Sequence, residues 1–90
     1  MNAAEQTERK TVIVAYKPKP GKEAELLELT RGHVPRLRAE GLATESPVTI
    51  CRAADGTIIE VFEWEAGGIE RAHHNAAVGA MWAEYSAVCD

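Results

Sequence analysis

The 90-residue chain is short of basic charge, of cysteine and of long apolar runs, and each shortage excludes a class of function. Its net charge is −4 at pH 7. An acidic chain without a strong basic face lacks the phosphate-neutralising term on which nucleic-acid binding depends, so no nucleic-acid partner is expected. The two cysteines, Cys51 and Cys89, have neither zinc-type nor redox spacing. No apolar run nears the ~18 residues that would suggest a membrane span. Residues 1–10, MNAAEQTERK, are polar with no hydrophobic stretch after the charges, which argues against a secretory signal. They read as a flexible polar leader, and cytoplasm with reduced thiols is the expected setting. A Ser-His-Asp order, a phosphate-cradling glycine loop, paired helix carboxylates, internal repeats and low-complexity tracts are also missing.

What is present is apolar material, 46% of residues, which rules out a disordered tail and fits one small domain over residues 11–90. Charge is uneven along it. Up to Arg38 there are eight Lys/Arg against five Glu; from Ala39 onward there are two Arg against nine Asp/Glu. Either the two halves face and partly cancel one another, or Lys17, Lys19 and Lys22 form a basic rim for an anionic ligand.

The periodicity divides the domain cleanly. TVIVAYK, Thr11 to Lys17, is β-branched and apolar on both faces, the mark of a strand covered on both sides. PKPG stops it, because proline cannot donate to a ladder. From Lys22 the period turns helical, with Ala24, Leu27, Val34 and Leu37 recurring and Leu26 and Leu29 beside them, until Gly41. Pro35 inside this segment predicts a kink or break near Gly32–Pro35. Pro47 to Ala53 is a second strand, Ala54-Asp55-Gly56 a tight turn, and Thr57 to Glu65 the returning strand. After Gly67-Gly68 a helix in two pieces is expected, divided at Asn75, a good N-cap type. In the second piece Val78, Met81, Trp82, Tyr85, Val88 and Cys89 share one apolar face.

The order β-α-β-β-α is that of an α+β, ferredoxin-like split βαβ arrangement whose fourth strand is missing from this chain or replaced by another closure. Two helices cover only one face of such a sheet. Thr11, Ile13 and Ala15 oppose Val12, Val14 and Tyr16 on the first strand, so one set needs another cover. A second copy of the chain is the simplest, which makes a homodimer through the sheet face the expected assembly.

AYKPKPGKEAELLEL, HVPRLRAEGLAT, DGTIIEVFEWE and IERAHHNAAVGAMW together resemble the dimeric α/β-barrel superfamily, most closely its antibiotic-biosynthesis monooxygenase (ABM) family. The resemblance is diffuse and spans roughly Thr11 to Val88. It implies two ferredoxin-like subunits packed sheet to sheet into a barrel, with ligands between sheet and helices. It implies a small-molecule-binding protein, with cofactor-independent monooxygenation of a quinol-like or polycyclic aromatic substrate as the activity of its enzyme members. The alternative is a non-catalytic dimeric ligand-binding or scaffold module, since fold does not carry activity. The haem-degrading branch uses an asparagine on the first strand, which TVIVAYK lacks; its histidine-ligand and tryptophan positions fall on Trp82 and Ala72. Haem, like any other cofactor, is therefore not expected.

His73 matches the histidine of the family's A-H-x-x-P-like stretch, whose proline is Ala76 here, and His74 falls at a variable position expected on the surface. As chemistry His73 is a candidate general base; as structure it fixes the junction between the two helical pieces. Adjacent histidines point about 100° apart on a helix, and no metal site is expected of them, His33 joining them only by accident of folding. Glu60, between Ile58 and Phe62 on one face of a central-looking strand, would be costly without a partner. Its candidate partner is Arg52 across the hairpin, with a role as base in a buried cleft as the other reading. Trp82, Met81 and Tyr85 form a stripe that is either core or the wall of an apolar pocket, and Tyr16 and Trp64 carry the same two readings. Cys51 is expected as a small core residue.

Overall fold

The computed structural model describes residues 8–90, so most of the expected leader, residues 1–7, lies outside the described residues. The elements are strand β1 (Lys10–Tyr16), helix α1 (Glu23–Ala39), strands β2 (Thr49–Arg52) and β3 (Ile58–Trp64), and helices α2 (Gly68–Ala72) and α3 (Ala76–Val88). The three strands form one antiparallel sheet in the order β1-β3-β2, an α+β arrangement compatible with the ferredoxin-like class. Val14 lies opposite Glu60 on one side of β3, and Ile50 lies opposite it on the other. The central strand is thus the one carrying the acidic residue, and β1 and β2 run parallel to one another on either side of it.

Alternation along β3 decides where the core sits. Ile58, Glu60, Phe62 and Trp64 are buried, while Ile59, Val61 and Glu63 between them are half-buried. The first set meets Leu26, Val34 and Leu37 of α1 and Val78, Met81, Tyr85 and Val88 of α3. The opposite face carries Thr11, Ile13 and Ala15, all exposed, with Ile13 keeping 75% of its surface in water. Cys51 stands on this open face and is exposed, not in the core as expected. Among the described residues, β1 is accordingly covered on one face only.

Helix α1 runs through Pro35 without the break expected near Gly32–Pro35. The ring removes only the bond to the Arg31 carbonyl, and both residues are exposed, where water can satisfy that oxygen. Two residues on, Leu37 is fully buried and holds the helix down. The buried stripe is Leu26, Thr30, His33, Val34 and Leu37, a rotation from the expected one, since Ala24 is exposed and Leu27 only half-buried.

The turns follow local chemistry. Asp55 accepts the Thr57 amide at 3.0 Å and Gly56 takes a φ of 94°, closing the β2–β3 hairpin. Asn75 caps α3 by accepting the Val78 amide at 3.0 Å, which divides the last helical segment at the expected residue. At the end of α3, Lys19 donates its backbone N–H to the Val88 carbonyl and Asp90 donates to Lys17, both at 2.9 Å. These bonds tie the last turn to the chain leaving β1.

Gly68 is the tightest point of the fold. A Cβ there would stand 2.6 Å from the Leu42 carbonyl oxygen and 3.2 Å from the Trp64 ring. Gly68→Ala is expected to cost roughly 1–3 kcal/mol of unfolding free energy through this overlap. Gly79→Ala, on an open stretch of α3, should stabilise by about 0.5–1 kcal/mol. Urea denaturation of both variants checks the pair, and a neutral Gly68→Ala would contradict the packing described.

Candidate functional site

Four elements each bring one polar or aromatic side chain to a single buried point. β3 turns Glu60 toward the helices, where it is fully buried. α1 lays His33, 4% exposed, over it, with Nδ1 at 2.8 Å from Oε1. From the end of β1, the Tyr16 hydroxyl donates to the same oxygen at 2.9 Å, reaching diagonally from its position opposite Ile58. Tyr85 of α3 stacks on Tyr16 with centroids 4.7 Å apart and sets its edge against the imidazole at 5.4 Å. Its hydroxyl donates to Thr30 Oγ1 at 3.3 Å, and Thr30 in turn donates to the Leu26 carbonyl at 2.9 Å.

The direction of the His33 Nδ1 contact to that oxygen follows the imidazole tautomer, Nδ1–H donating where Oε1 carries no hydrogen. This leaves Nε2 of His33 and Oε2 of Glu60 buried without a hydrogen-bond partner among the described residues. Two orphaned polar atoms on adjacent buried side chains are uncommon, because each carries a desolvation cost. The phenols stay protonated. Burial, and then the charge of Glu60, push the Tyr16 hydroxyl well above the usual tyrosine range. Burial pushes Tyr85 up to about 12.

Beside this cluster lies a cleft of about 370 Å³ between the sheet and the helices. Val12, Val14, Phe62 and Trp64 form its sheet side, Trp82, Tyr85 and Cys89 its α3 side, and Tyr16 and His33 border it. Glu60 does not line the cleft; its two hydrogen-bond partners do. His73 sits at the rim, exposed, its ring 5.3 Å from that of Trp82. It also borders a second hollow of about 260 Å³ with Lys10, Trp64 and Ile69.

Of the residues singled out by sequence, Tyr16, Trp64, His73, Trp82 and Tyr85 meet around the cleft. Met81 is buried and borders instead a groove between α1 and α3 with Arg36 and Glu84. His74 is exposed, as expected. Arg52 is not the partner of Glu60: it lies opposite Ile58 at the end of an edge strand and is exposed, its guanidinium left in water while α1 supplies His33. His33 and Thr30 are the site residues that sequence reasoning passed over. Their signal was the spacing Leu26, Thr30, His33, Leu37, which places two polar residues on a buried helical face. Lys17, Lys19 and Lys22 do not converge on a rim; Lys19 reaches the Ser86 carbonyl and Lys22 pairs with Glu25.

Among the described residues, no group of three or more His, Cys, Asp or Glu side chains stands together in a way that could hold a metal ion. Nor, among the described residues, is any helix long and apolar enough to cross a membrane. No protein-family model, curated protein or solved structure matches the chain.

The His33–Glu60 contact sets up a stability test. Leaving one partner of a buried hydrogen bond unsatisfied costs about 1–3 kcal/mol, and more where the orphan is charged, whereas replacing both with apolar groups is often close to neutral. His33→Leu alone is therefore expected to destabilise strongly, and His33→Leu with Glu60→Leu to recover most of that loss. A double-mutant cycle by urea unfolding reads the coupling, and additive losses would show that the two side chains do not depend on one another.

Proposed function

We propose that this chain binds a flat apolar or aromatic small molecule in the cleft between sheet and helices, as a ferredoxin-like protein of the ABM kind. The observation that carries this reading is the pairing of an apolar cleft with a buried polar cluster that has unused hydrogen-bonding capacity at the cleft's border. Ligand sites are commonly apolar cavities of about 300–1,000 Å³ with a few placed polar groups. The cleft falls at the small end of that range, suited to a compact ring system. Side chains packed solid would have favoured the scaffold alternative.

The chemistry that suits such a site is cofactor-independent monooxygenation of a quinol-like or polycyclic aromatic. The protein removes a proton from an electron-rich substrate, and the resulting anion reacts with dioxygen directly. For a methylene between aromatic rings, one oxygen atom enters as the carbonyl and the other leaves as water, the substrate supplying all the electrons. The protein needs only a base and a dry, shaped cleft. Glu60 with its partners offers the first, and Trp82, Trp64 and Phe62 offer walls on which a flat ring can stack.

Purified protein titrated with quinols, anthrones and other flat aromatics should melt at higher temperature, the gain reaching about 2.7 kcal/mol at a hundredfold excess over Kd. Trp82→Ala should reduce that gain at least tenfold in apparent affinity. Dioxygen uptake with one of these compounds would identify an oxygenase, and His73→Ala reports whether the rim histidine takes part. A panel that moves neither melting temperature nor oxygen would turn the reading to the scaffold alternative.

The second element of the proposal is a homodimer through the open sheet face. Ile13, Ile59, Val61 and Ala15 form cross-strand neighbours there, with Ile13 opposite Val61 and Ala15 opposite Ile59. A second copy would bury this apolar ladder against its own equivalent. Sedimentation equilibrium should give a dimer for the natural chain and a monomer for Ile13→Glu; a natural chain that sediments as a monomer removes this part of the proposal.

A further inference from the structure

We infer that the ligand of this cleft carries a free, weakly acidic hydroxyl on its ring system, and that His33 Nε2, rather than His73 or Glu60, receives its hydrogen. This inference rests on the cleft being the ligand site. Glu60 Oε1 is fully used, accepting from Tyr16 at 2.9 Å and from His33 Nδ1 at 2.8 Å. The Tyr16 hydrogen is committed to that bond, and the Tyr85 hydrogen to Thr30. With Nδ1 as the donor, neutral His33 carries its lone pair on Nε2. The two unpartnered atoms, Nε2 and Glu60 Oε2, are therefore both acceptors. The cluster has no donor left to offer and lacks one that it needs.

No described side chain reaches these two atoms, the indole N–H groups of Trp64 and Trp82 at the cleft included. An O–H acid on an otherwise apolar, flat molecule suits the apolar walls and supplies the one hydrogen that Nε2 can receive. Its proton passes to Nε2, the ligand O–H bond breaking as the N–H bond forms. The imidazolium so formed is held by the Glu60 carboxylate, and the ligand anion lies beside it. Glu60 is then a positioning residue that fixes the Nδ1–H tautomer, and Tyr16 steadies the carboxylate from the other side. His73, exposed at the rim, has no carboxylate to orient it in this way among the described residues. Nε2 is buried within the packing around the imidazole, where Phe62 and Tyr85 each stand 5.4 Å away, so seating the hydroxyl requires that packing to give way.

The test uses the full chain with 1-naphthol and its methyl ether, 1-methoxynaphthalene, followed by tryptophan fluorescence and calorimetry. The hydroxyl compound should bind at least ~30-fold more tightly, since the ether leaves His33 Nε2 unpaired. Bound naphthol should also show the absorption band of its anion at neutral pH. In His33→Gln that band should vanish and the preference fall below about threefold, while the ether still binds. Equal affinity for the two compounds in the natural chain overturns the hydroxyl inference and leaves the cleft reading standing. Binding of neither compound at solubility-limited concentrations overturns both. A preference or an anion band that persists in His33→Gln overturns the role of His33. The two-ligand comparison and the anion band on the natural chain decide the hydroxyl question even if His33→Gln does not fold.

Discussion

A carboxylate on the middle strand of a three-stranded sheet is the constraint around which this small fold is arranged. Glu60 faces inward because its neighbours Ile58 and Phe62 do, and strand alternation allows no other direction without turning those out to water. An unpaired buried charge would cost more than a domain of this size can readily bear. The chain answers with one partner from the neighbouring strand and one from the overlying helix. That answer fixes which face of α1 points down, where β1 ends relative to β3, and where the ring of Tyr85 can lie.

The same arrangement stops short of full satisfaction. Among the described residues, His33 and Glu60 each keep one buried polar atom without a partner. Structural networks generally close, because partly satisfied ones lose the benefit of burial. A cluster that remains open beside an apolar cleft has the form of a site prepared for a group that arrives from outside. The aromatic side chains, few in the sequence, are concentrated here: Tyr16, Phe62, Trp64, Trp82 and Tyr85 all border the cleft.

Much of the succession of elements could be read from the chain itself. The Asp55-Gly56 turn, the division of the last helical segment at Asn75 and the apolar face of α3 rest on interactions between residues a few positions apart. Glu60 could be singled out because its position between two apolar residues was visible in the sequence. Its partners could not. Arg52 is close in the chain and opposite in sign, yet the edge of the sheet leaves it in water, and an imidazole 27 residues away takes its place. Pro35 misled in the same way: the rule that it breaks helices is local, whereas the buried Leu37 that anchors α1 acts through the core.

By itself, then, the sequence determined the β-α-β-β-α order, the turn and cap residues, and the presence of an acidic residue on an inward-facing strand position, because each is encoded in short-range periodicity and backbone chemistry. Only the tertiary structure decided that Thr30 and His33 face the core, that His33 and Tyr16 share one oxygen of Glu60, that Met81 lies away from the cleft, and that His73 stays at its rim. Those outcomes depend on how α1 and α3 are laid across β3. The distances involved are set by packing between elements far apart in the chain, which no local pattern records.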